Sequence, residues 1–524
     1  MLLVIMVFYG VPIKAQPTIK IGVVGPDGWI QWDGIWEAAV MARDKINGEG
    51  GILGQYDVEL FPINSHAVEL DPAAGIAEML TALDAGVQFL IGGFRTEVVL
   101  PMREAAMTYA KDYGRPIWWI AGAATDQIID CGGGALACGK CVRCDYETWK
   151  YMFRVTPMNS TILGKQIFMF LRFEVLPKLA TVYESPVKTY IIGENLEWND
   201  RMIRVLAGSD WYPEIMPGVS NPYPSPPKPG SVLGETAVVV GVEKPSALAT
   251  DFSAEFSRAE ADKARLIIHI FSAVAGPPFI KQYGELQVPA VCVGINVESQ
   301  MQEFWTSVEE KCEYESFLAS VGTKTPIVPG VTDKFWDDYL ARWDHAPVYT
   351  AWGAYDGIMA LKETIEAAGT WPMTCDEMIP LIETSERLGI LGTFKYTGVN
   401  GKYHDVYCDP YCAQPTWPEP RYVRSHITQW QAGRLEPIWP ADQAYSKKYA
   451  LPTWMYPYSD VNYDGNIDIF DIVTTAGAFG TLPGDNSWDI RADVIKSDGI
   501  DIFDIVKIAG VFGTSVPLPV PYPS

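Results

Sequence analysis

The run Thr18-Ile19-Lys20-Ile21-Gly22-Val23-Val24 reads as the first strand of the main fold. A helical pattern follows at Gly34–Asn47, where one helix face collects the apolar residues Ile35, Ala38, Ala39, Ala42 and Ile46. Glycines within Gly48–Gly54 then end this helix. A strand followed by an amphipathic helix predicts the first βα unit of an α/β sheet.

The same alternation continues outward from this unit. Further strand-like or helical runs are Val58–Ile63, Ala73–Ala85, Val87–Gly93, Pro116–Gly122, Lys188–Gly193, Ala237–Val242, Ala264–Ser272 and Val288–Ile295. Near-continuous apolar strands between helices predict parallel sheets that are covered on both faces. The segment is too long for one such sheet, so two lobes are expected.

Short motifs occur in a definite order along residues 18–445. They are Gly25-Pro26, Gly50-Gly51-Ile52-Leu53-Gly54, Ile91-Gly92-Gly93, Ile120–Thr125, Phe153-Arg154-Val155-Thr156-Pro157, Tyr355-Asp356-Gly357, Gly392-Thr393-Phe394 and Gln429-Trp430-Gln431-Ala432-Gly433. Together they resemble the type I periplasmic binding proteins, in particular the leucine/isoleucine/valine-binding proteins of ABC importers. The resemblance implies a two-lobed periplasmic-binding-protein-like I fold of doubly wound parallel sheets over residues 17–445. Lobe one is expected at about 17–150 and 331–390, and lobe two at about 151–330 and 391–445.

The resemblance also implies a solute site between the lobes, beyond the carboxyl ends of the strands. The implied residues are Trp29 (or Trp32 in its place), Arg95, Thr96, Ala123, Ala124, Thr125, Trp198, Phe271, Ser272 and Asn296. Relatives usually carry a small hydroxyl residue near Arg95 and often an acid at the place of Asn296. A guanidinium favours carboxylate or phosphate groups, so we expect an amino acid or a more acidic small solute. The alternative is that Arg95 points out of the cleft into solvent.

A repeated phrase marks the C-terminal end of the chain. Asp468-Ile469-Phe470-Asp471-Ile472-Val473 recurs 33 residues later as Asp501-Ile502-Phe503-Asp504-Ile505-Val506. In the first copy, the oxygen-bearing residues are Asp460, Asn462, Asp464, Asn466, Asp468 and Asp471, with Gly465 among them. Calcium loops place ligands at positions 1, 3, 5, 7, 9 and 12 and a glycine at 6. The pattern therefore predicts a calcium loop followed by a helix.

A duplicated calcium loop and helix resembles a type I dockerin, the small all-α module that docks to a cohesin-type protein. The resemblance covers residues 460–514 and implies paired calcium loops. In the second copy Asp493, Asp501 and Asp504 hold positions 1, 9 and 12, but Ile495 holds position 3 and Asp498 precedes a glycine that is shifted one place late. The second loop is therefore expected to bind calcium more weakly. Residues 446–459 are interpreted as a linker and 515–524 as a Pro-rich tail.

Composition and charge limit the partners. The net charge of −24 and the pI of about 4.6 disfavour nucleic acid and anionic membranes, which both need clustered Lys and Arg. The apolar run Leu2–Phe8, with a cleavage site near Ala15-Gln16, predicts a signal peptide over residues 1–16. It lacks a positive leader region, which would fit a truncated start. No stretch predicts a transmembrane segment, so we expect a secreted or cell-surface protein.

Nine cysteines are present, and six of them lie in two groups. These disulfide candidates are Cys131, Cys138, Cys141, Cys144, Cys408 and Cys412. In a secreted chain the favoured reading is disulfide bonds. The alternative for the first group is a zinc or iron–sulfur site.

Three functions are compatible with this sequence. The first is a non-catalytic, extracytoplasmic solute-binding protein for an ABC permease, with a calcium-dependent docking module. The second is a glycan-degrading enzyme, because dockerins accompany hydrolases; no G-x-S-x-G or H-E-x-x-H motif supports it. The third is a cell-surface, dockerin-bearing component of a polysaccharide-degrading or adhesive assembly that uses the binding fold as a receptor without transport. We expect the first, and no enzyme.

Overall fold

A computed structural model describes most of the chain, as two lobes and a small C-terminal module. It describes residues 16–129, 140–156, 158–180, 183, 185–207, 236–319, 328–408, 422–423, 425–439, 448–455, 459–462, 464–482, 485–489, 491–495, 497 and 499–515. The predicted signal peptide and the Pro-rich tail lie almost wholly outside these residues. Within them, no helix combines the length and the apolar character that crossing a bilayer requires.

Strands and helices alternate through the first part of the chain. The order is β1 (Thr18–Gly25), α1 (Ile30–Gly48), β2 (Asp57–Asn64), α2 (Pro72–Asp84), β3 (Phe89–Gly92), α3 (Thr96–Tyr113), β4 (Ile117–Ile120), α4 (Tyr146–Trp149), β5 (Met152–Arg154), α5 (Ser160–Phe170), α6 (Leu176–Ala180), β6 (Val187–Gly193), α7 (Asp200–Leu206), β7 (Ala237–Glu243), α8 (Ser253–Ala261), β8 (Leu266–Phe271), α9 (Gly276–Leu286), β9 (Val291–Asn296), α10 (Phe304–Ser307) and β10 (Ser316–Ala319). The later elements are α11 (Thr332–Trp343), α12 (Tyr349–Ala368), α13 (Cys375–Glu383), β11 (Glu386–Gly389), β12 (Gly392–Lys395), β13 (His426–Gln431), β14 (Arg434–Trp439), α14 (Ile469–Gly477) and α15 (Ile502–Ala509).

Lobe one is built on a parallel five-stranded sheet in the order β2-β1-β3-β4-β5. Helices α1 and α12 pack against each other over this sheet, and the buried rings of Trp118, Trp119 and Trp352 fill its core. The same core includes Phe394 and Val423. Lobe one therefore contains β5 and the β11–β12 hairpin, although the predicted boundaries assigned β5 and β12 to lobe two.

Lobe two is built on a seven-stranded sheet in the order β14-β13-β10-β9-β8-β6-β7. Strands β6 to β10 are parallel, whereas β13 and β14 join the edge antiparallel. Neighbouring residues alternate between two apolar clusters, because strand side chains alternate between faces: Ile268 and Val293 belong to one, Ile267 and Cys292 to the other. The parallel sheets predicted from the sequence are confirmed, and the antiparallel edge is an addition to them.

Residues 448–455, within the segment predicted as a linker, pack against lobe two. Leu451 and Met455 are fully buried in the same cluster as Ile427. The Gln429 side chain donates to the Ala450 carbonyl at 2.8 Å and accepts from the Ala450 amide at 2.9 Å. This stretch, here called the strap, therefore belongs structurally to lobe two.

The C-terminal module consists of two similar halves, each a loop followed by a helix. The Ile467 amide donates to the Thr514 carbonyl at 2.8 Å, and the Ile500 amide donates to the Thr481 carbonyl at 3.1 Å. These bonds are related by the 33-residue offset of the sequence repeat. Each half thus closes on the other around a small apolar core that contains Val461 and Val494.

Candidate functional site

The carboxyl ends of the strands in the two lobes face a cleft, and tight backbone turns bring side chains into it. Gly92 ends β3 with a φ of +107°, and a Cβ there would lie 2.2 Å from the Val24 carbonyl oxygen. Only glycine allows this approach. The turn delivers Phe94 and Arg95 to the cleft at the start of α3.

A small cavity, with a volume of about 30 Å³, lies between the lobes. Its walls are mostly apolar, with a few polar groups from both lobes. The lining residues are Phe94, Arg95, Thr96, Gly122, Ala124, Met158, Leu163, Trp198, Ser272, Ile295, Val297, Gln300, Leu318 and Tyr349. A mostly apolar cavity with a few converging polar groups is the usual character of a small-molecule site.

Arg95 is the main charged group of this cavity and is 5% exposed. Its Nη1 donates to the Ala67 carbonyl at 3.0 Å, while Nε and Nη2 have no hydrogen-bond partner among the described residues. Burial lowers the pKa of Arg95, and the carboxylate of Glu194 opposes that shift. The guanidinium lies over the Trp29 ring, 4.6 Å from its centroid. Two buried donors are therefore available on one cation.

The backbone of Arg95 is also unusual. Its φ of +61° lies in a region that side-chain-bearing residues rarely adopt. Such conformations cost roughly 1–3 kcal/mol and cluster at functional sites. This backbone conformation places the guanidinium at the N-terminal end of α3, facing lobe two.

Glu194 follows β6 and presents a buried carboxylate from lobe two. Its Oε1 accepts from the Trp198 indole at 2.7 Å and from the Ser272 amide at 2.9 Å, whereas Oε2 has no partner among the described residues. Burial raises the pKa of Glu194, and hydrogen bonds from Ser272 and Trp198 and the charge of Arg95 oppose the shift. Lobe two thus places a buried carboxyl group behind Trp198 and Ser272, two residues that line the cavity.

Direct hydrogen bonds connect the lobes beside this cavity. The Glu197 amide of lobe two donates to Glu97 Oε1 of lobe one at 2.8 Å, and Gln127 of lobe one donates to the Glu197 carboxylate. Gln31 Nε2 donates to the Ser272 carbonyl at 3.4 Å. The cleft is therefore in a closed arrangement.

Five of the ten predicted solute residues line the cavity, namely Arg95, Thr96, Ala124, Trp198 and Ser272. Trp29 lies behind Arg95, and Phe271 packs edge-on against Phe252 in the core of lobe two. The remaining three, Ala123, Thr125 and Asn296, are held by other partners.

The carbonyls of Ala123 and Thr125 both accept hydrogen bonds from the buried Arg154, and the Thr125 hydroxyl accepts from the Gln127 amide. Asn296 Nδ2 donates to the Glu315 carboxylate at 3.2 Å. These groups are therefore used within the protein, not at the cavity.

Other lining residues were not predicted, and neither was Glu194, which does not line the cavity but holds Trp198 and Ser272, which do. Met158 precedes α5 and Leu163 lies on it, Tyr349 begins α12, and Gln300 follows β9. Gln300 Oε1 and Thr96 Oγ1 are buried without a partner among the described residues. Only Glu194 carries a signal that could have been used, because it directly follows a strand end.

The first predicted calcium loop is compact. Gly465 has a φ of +86°, as the sharp turn requires, and its amide donates to Asp460 Oδ2 at 3.0 Å. Asp471 accepts from the amides of Asn462 at 3.1 Å and Asp468 at 2.8 Å. Burial raises the pKa of Asp460, and the neighbouring carboxylates of Asp471 and Asp464 add to the shift.

The second loop repeats this arrangement. Asp504 accepts from the amides of Ile495 at 3.0 Å and Asp501 at 2.8 Å, and Asp493 accepts from the Ser497 amide. Asp498 lies outside the described residues. In neither loop, nor elsewhere in the described part of the chain, are three or more His, Cys, Asp or Glu side chains arranged to hold a metal ion. Instead, backbone amides donate hydrogen bonds to these carboxylates.

The described residues include only some of the cysteines that were predicted to form disulfide bonds. Cys131, Cys138 and Cys412 lie outside the described residues. The sulfur atoms of Cys141 and Cys144 are 2.7 Å apart, and the six described cysteines are not joined to one another by disulfide bonds. Disulfide formation in this group remains a prediction.

Comparison with known proteins gives the fold. No family model and no curated protein matches the chain. Similar solved structures include a candidate branched-chain amino acid ABC transporter from Silicibacter pomeroyi, with a TM-score of 0.63, 16% identity, and coverage of 84% of this chain and 100% of that one. The branched-chain amino acid substrate-binding protein LivJ from Streptococcus pneumoniae, in complex with isoleucine, has a TM-score of 0.57 and 17% identity over 80% of this chain and 98% of that one. A solute-binding protein from R. palustris, in complex with benzoate, has a TM-score of 0.56 and 13% identity. That match covers 80% of this chain and 95% of the other. The two lobes thus have the type I periplasmic binding protein fold.

Proposed function

We propose that this protein is a non-catalytic, extracytoplasmic solute-binding protein that captures one small carboxylate-bearing solute for an ABC importer. The observation that carries the proposal is the buried Arg95 guanidinium in a cavity between two lobes, where two of its donors have no hydrogen-bond partner among the described residues. Leaving such donors unsatisfied is costly, so a site built this way is expected to receive an acceptor.

The chemistry of the solute follows from the unused groups. Nε and Nη2 form the edge of the Arg95 guanidinium that can bind a carboxylate with two parallel hydrogen bonds. Gln300 Oε1 and Thr96 Oγ1, which have no hydrogen-bond partner among the described residues, offer acceptors to an ammonium group, and Met158, Leu163 and Leu318 suit an apolar body. An amino acid satisfies both ends, whereas an aromatic or aliphatic acid satisfies Arg95 alone. The isoleucine and benzoate complexes of the similar structures represent these two classes.

The site favours binding over catalysis. The polar groups that line the cavity are an arginine, hydroxyls and an amide, and Glu194 is held by Trp198 and Ser272. None of the lining residues is a Cys or His nucleophile or base. Recovery of unchanged solute after long incubation is the test that separates a receptor from an enzyme.

We further propose that the C-terminal module is dockerin-like and binds calcium. The two loops carry carboxylates at positions 1, 9 and 12, and the crowding of Asp460, Asp464 and Asp471 would be relieved by a cation. In the first loop Asp460, Asn462, Asp464, Asp468 and Asp471 would supply side-chain oxygens, and Asn466 would supply a backbone oxygen. Bound calcium would hold the loop against the start of its helix. Calcium titration of the full chain by calorimetry tests this, since no heat would contradict it.

The helices of the module present the surface for a partner. Phe470 on α14 and Phe503 on α15 are 62% and 63% exposed, and Val473 and Val506 are exposed beside them. Contiguous exposed apolar residues mark interaction sites. A cohesin-type protein is the partner that we propose.

A cell-surface receptor without transport remains the alternative function, favoured by this module and not by the cleft. Solute uptake by cells that lack the chain, compared with uptake by cells that carry it, distinguishes the two. Unchanged uptake would support the receptor.

A further inference from the structure

A second cavity, of about 500 Å³, opens on lobe one and shares no lining residue with the solute cavity. Its walls come from α1, α11, α12 and β11, all elements of lobe one. We infer that this cavity, here called the α12 groove, is a second binding site that takes a small organic amine with an apolar body. Its volume is typical of small-molecule sites, which occupy about 300–1,000 Å³. Because the groove lies within lobe one, the inference does not rest on the proposed solute function.

One face of α12 runs along the length of the groove. Tyr355, Met359 and Glu363 line it and follow each other at intervals of four residues, so they lie in one row on the helix. At 1.5 Å of rise per residue, this row is about 12 Å long. The groove therefore suits an elongated ligand, with a phenol ring at one end and a carboxylate at the other.

The middle of the groove is apolar. Met41 of α1 and Val331 before α11 line it together with Met359, and all three are half-buried against the core of lobe one. Leu388 of β11 also lines the groove and is 60% exposed. Unbranched, polarisable Met side chains adjust to the shape of a ligand. An apolar ligand body would remove this surface from water, which is favourable.

The most buried cation of the groove is already neutralised by carboxylates. Arg387 Nη2 donates to the Asp356 carbonyl and lies 3.3 Å from Asp356 Oδ1, and Nη1 lies 3.7 Å from Glu363 Oε1. A carboxylate ligand would have to compete with both acids for this guanidinium. The α12 groove thus differs from the solute cavity, where two donors of Arg95 have no partner among the described residues.

The two lysines of the groove do not favour an anion either. Lys334 Nζ lies 2.6 Å from Asp338 Oδ2, one helical turn along α11. Lys45 is exposed in the last turn of α1, where the carbonyl groups at the helix end favour a cation. Both lysines therefore have an explanation that involves no ligand.

Glu363 is the acceptor that remains for a ligand. Its distance of 3.7 Å from Arg387 is too long for a hydrogen bond, and its carboxylate accepts none from the described residues. Burial raises the pKa of Glu363, and the charge of Arg387 opposes that shift. An ammonium group would supply both the hydrogen bonds and a positive charge to this half-buried carboxylate.

The opposite end of the groove also favours a cation. Burial raises the pKa of Tyr355 to about 12, and the carboxylates of Asp356, Glu49 and Asp338 raise it further, whereas Arg387 opposes the shift. More carboxylates than cations therefore act on this ring. The faces of aromatic rings themselves attract ammonium groups. An amine accordingly meets favourable charge along the whole row of α12.

The test is a ligand-observed NMR titration of the full-length protein with two phenyl compounds of similar shape, phenethylamine and phenethyl alcohol. The amine should bind one per chain and more tightly than the neutral alcohol. Glu363→Gln should weaken amine binding by about tenfold, the low end for a hydrogen bond to a charged group, because the carboxylate is partly exposed. The same substitution should leave the affinity for the alcohol unchanged.

The matched control is Glu366→Gln. Glu366 lies on the same helix, pairs with Lys362 at 2.8 Å and does not line the groove, so amine binding should be unchanged. Met359→Trp fills the half-buried middle of the groove and should abolish binding of both compounds. Arg95→Met, in the solute cavity, should bind the amine as the wild type does. Thermal unfolding establishes that each variant is folded.

Four results overturn the inference. They are the absence of saturable amine binding, equal affinity for amine and alcohol, equal losses in Glu363→Gln and Glu366→Gln, and full binding in Met359→Trp. Loss of amine binding in Arg95→Met would place the amine in the solute cavity and overturn it as well. Failure of the proposed solute chemistry, in contrast, leaves every one of these comparisons unaffected.

Discussion

Replacing Arg95 by Met removes the guanidinium and keeps an unbranched apolar side chain in the cavity. A hydrogen bond to a charged group contributes about 1.5–3 kcal/mol, and two donors, Nε and Nη2, are available for a carboxylate. Even the lower value for each predicts a loss of about 3 kcal/mol, or roughly 150-fold in Kd. Solute-free Arg95→Met should change in stability by no more than about 1 kcal/mol, because it loses one hydrogen bond, to Ala67, and also the cost of burying a cation.

The assay is calorimetric titration with benzoate and with isoleucine, each compared with its neutral amide. Arg95→Met should lose affinity for the acids far more than for the amides. The matched control is Arg115→Met: Arg115 precedes β4, at the amino end of the strands and away from the cavity, and donates to the Leu83 carbonyl at 3.1 Å. The control should leave binding unchanged. Equal losses for acid and amide, or no loss for either, would place Arg95 outside the recognition of the solute.

Three further outcomes are expected. Leu451→Ala, in the strap, should destabilise the full chain by about 2–5 kcal/mol in urea unfolding, whereas a free linker would tolerate it. Asp468→Ala should abolish calcium-dependent folding of the first loop, seen as equal helicity in calcium and in chelator, and Asp501→Ala should have a smaller effect because the second loop lacks ligands at position 3. Burial raises the pKa of Asp126 to about 6 in the folded protein, so stability should decline as pH rises from about 4 to about 6; Asp126→Asn should remove this decline, and an unchanged profile would contradict it.

The sequence predicts the parallel sheets well because their strands are buried on both faces and read as continuous apolar runs. Strand β5 has three residues and β10 has four, too few for a periodic pattern. The strap was read as a linker because Leu451 and Met455 show no periodicity, and only the tertiary structure reveals what buries them.

The solute site likewise contains residues that the sequence identified and residues that only the tertiary structure identifies. Arg95 and Thr96 were implied by the family resemblance, in the loop that follows the Gly92-Gly93 strand end. Asn296 was assigned to the solute, although its side chain binds Glu315, a partner just before β10 that no local pattern identifies. Glu194 was missed because the family resemblance directed attention to Glu197-Trp198, three residues further along the chain.

We propose that the cleft between the lobes binds one carboxylate solute. The most direct measurement is thermal unfolding of the full chain with a panel of amino acids, aromatic acids, dicarboxylates and sugars, followed by titration of every compound that raises the melting temperature. A true solute at a hundred times its Kd should stabilise the fold by about 2.7 kcal/mol, bind one per chain and be recovered unchanged. If no carboxylate raises the melting temperature while a neutral sugar does, the role assigned to Arg95 is wrong, and if none of the four classes does, the solute-receptor function is contradicted.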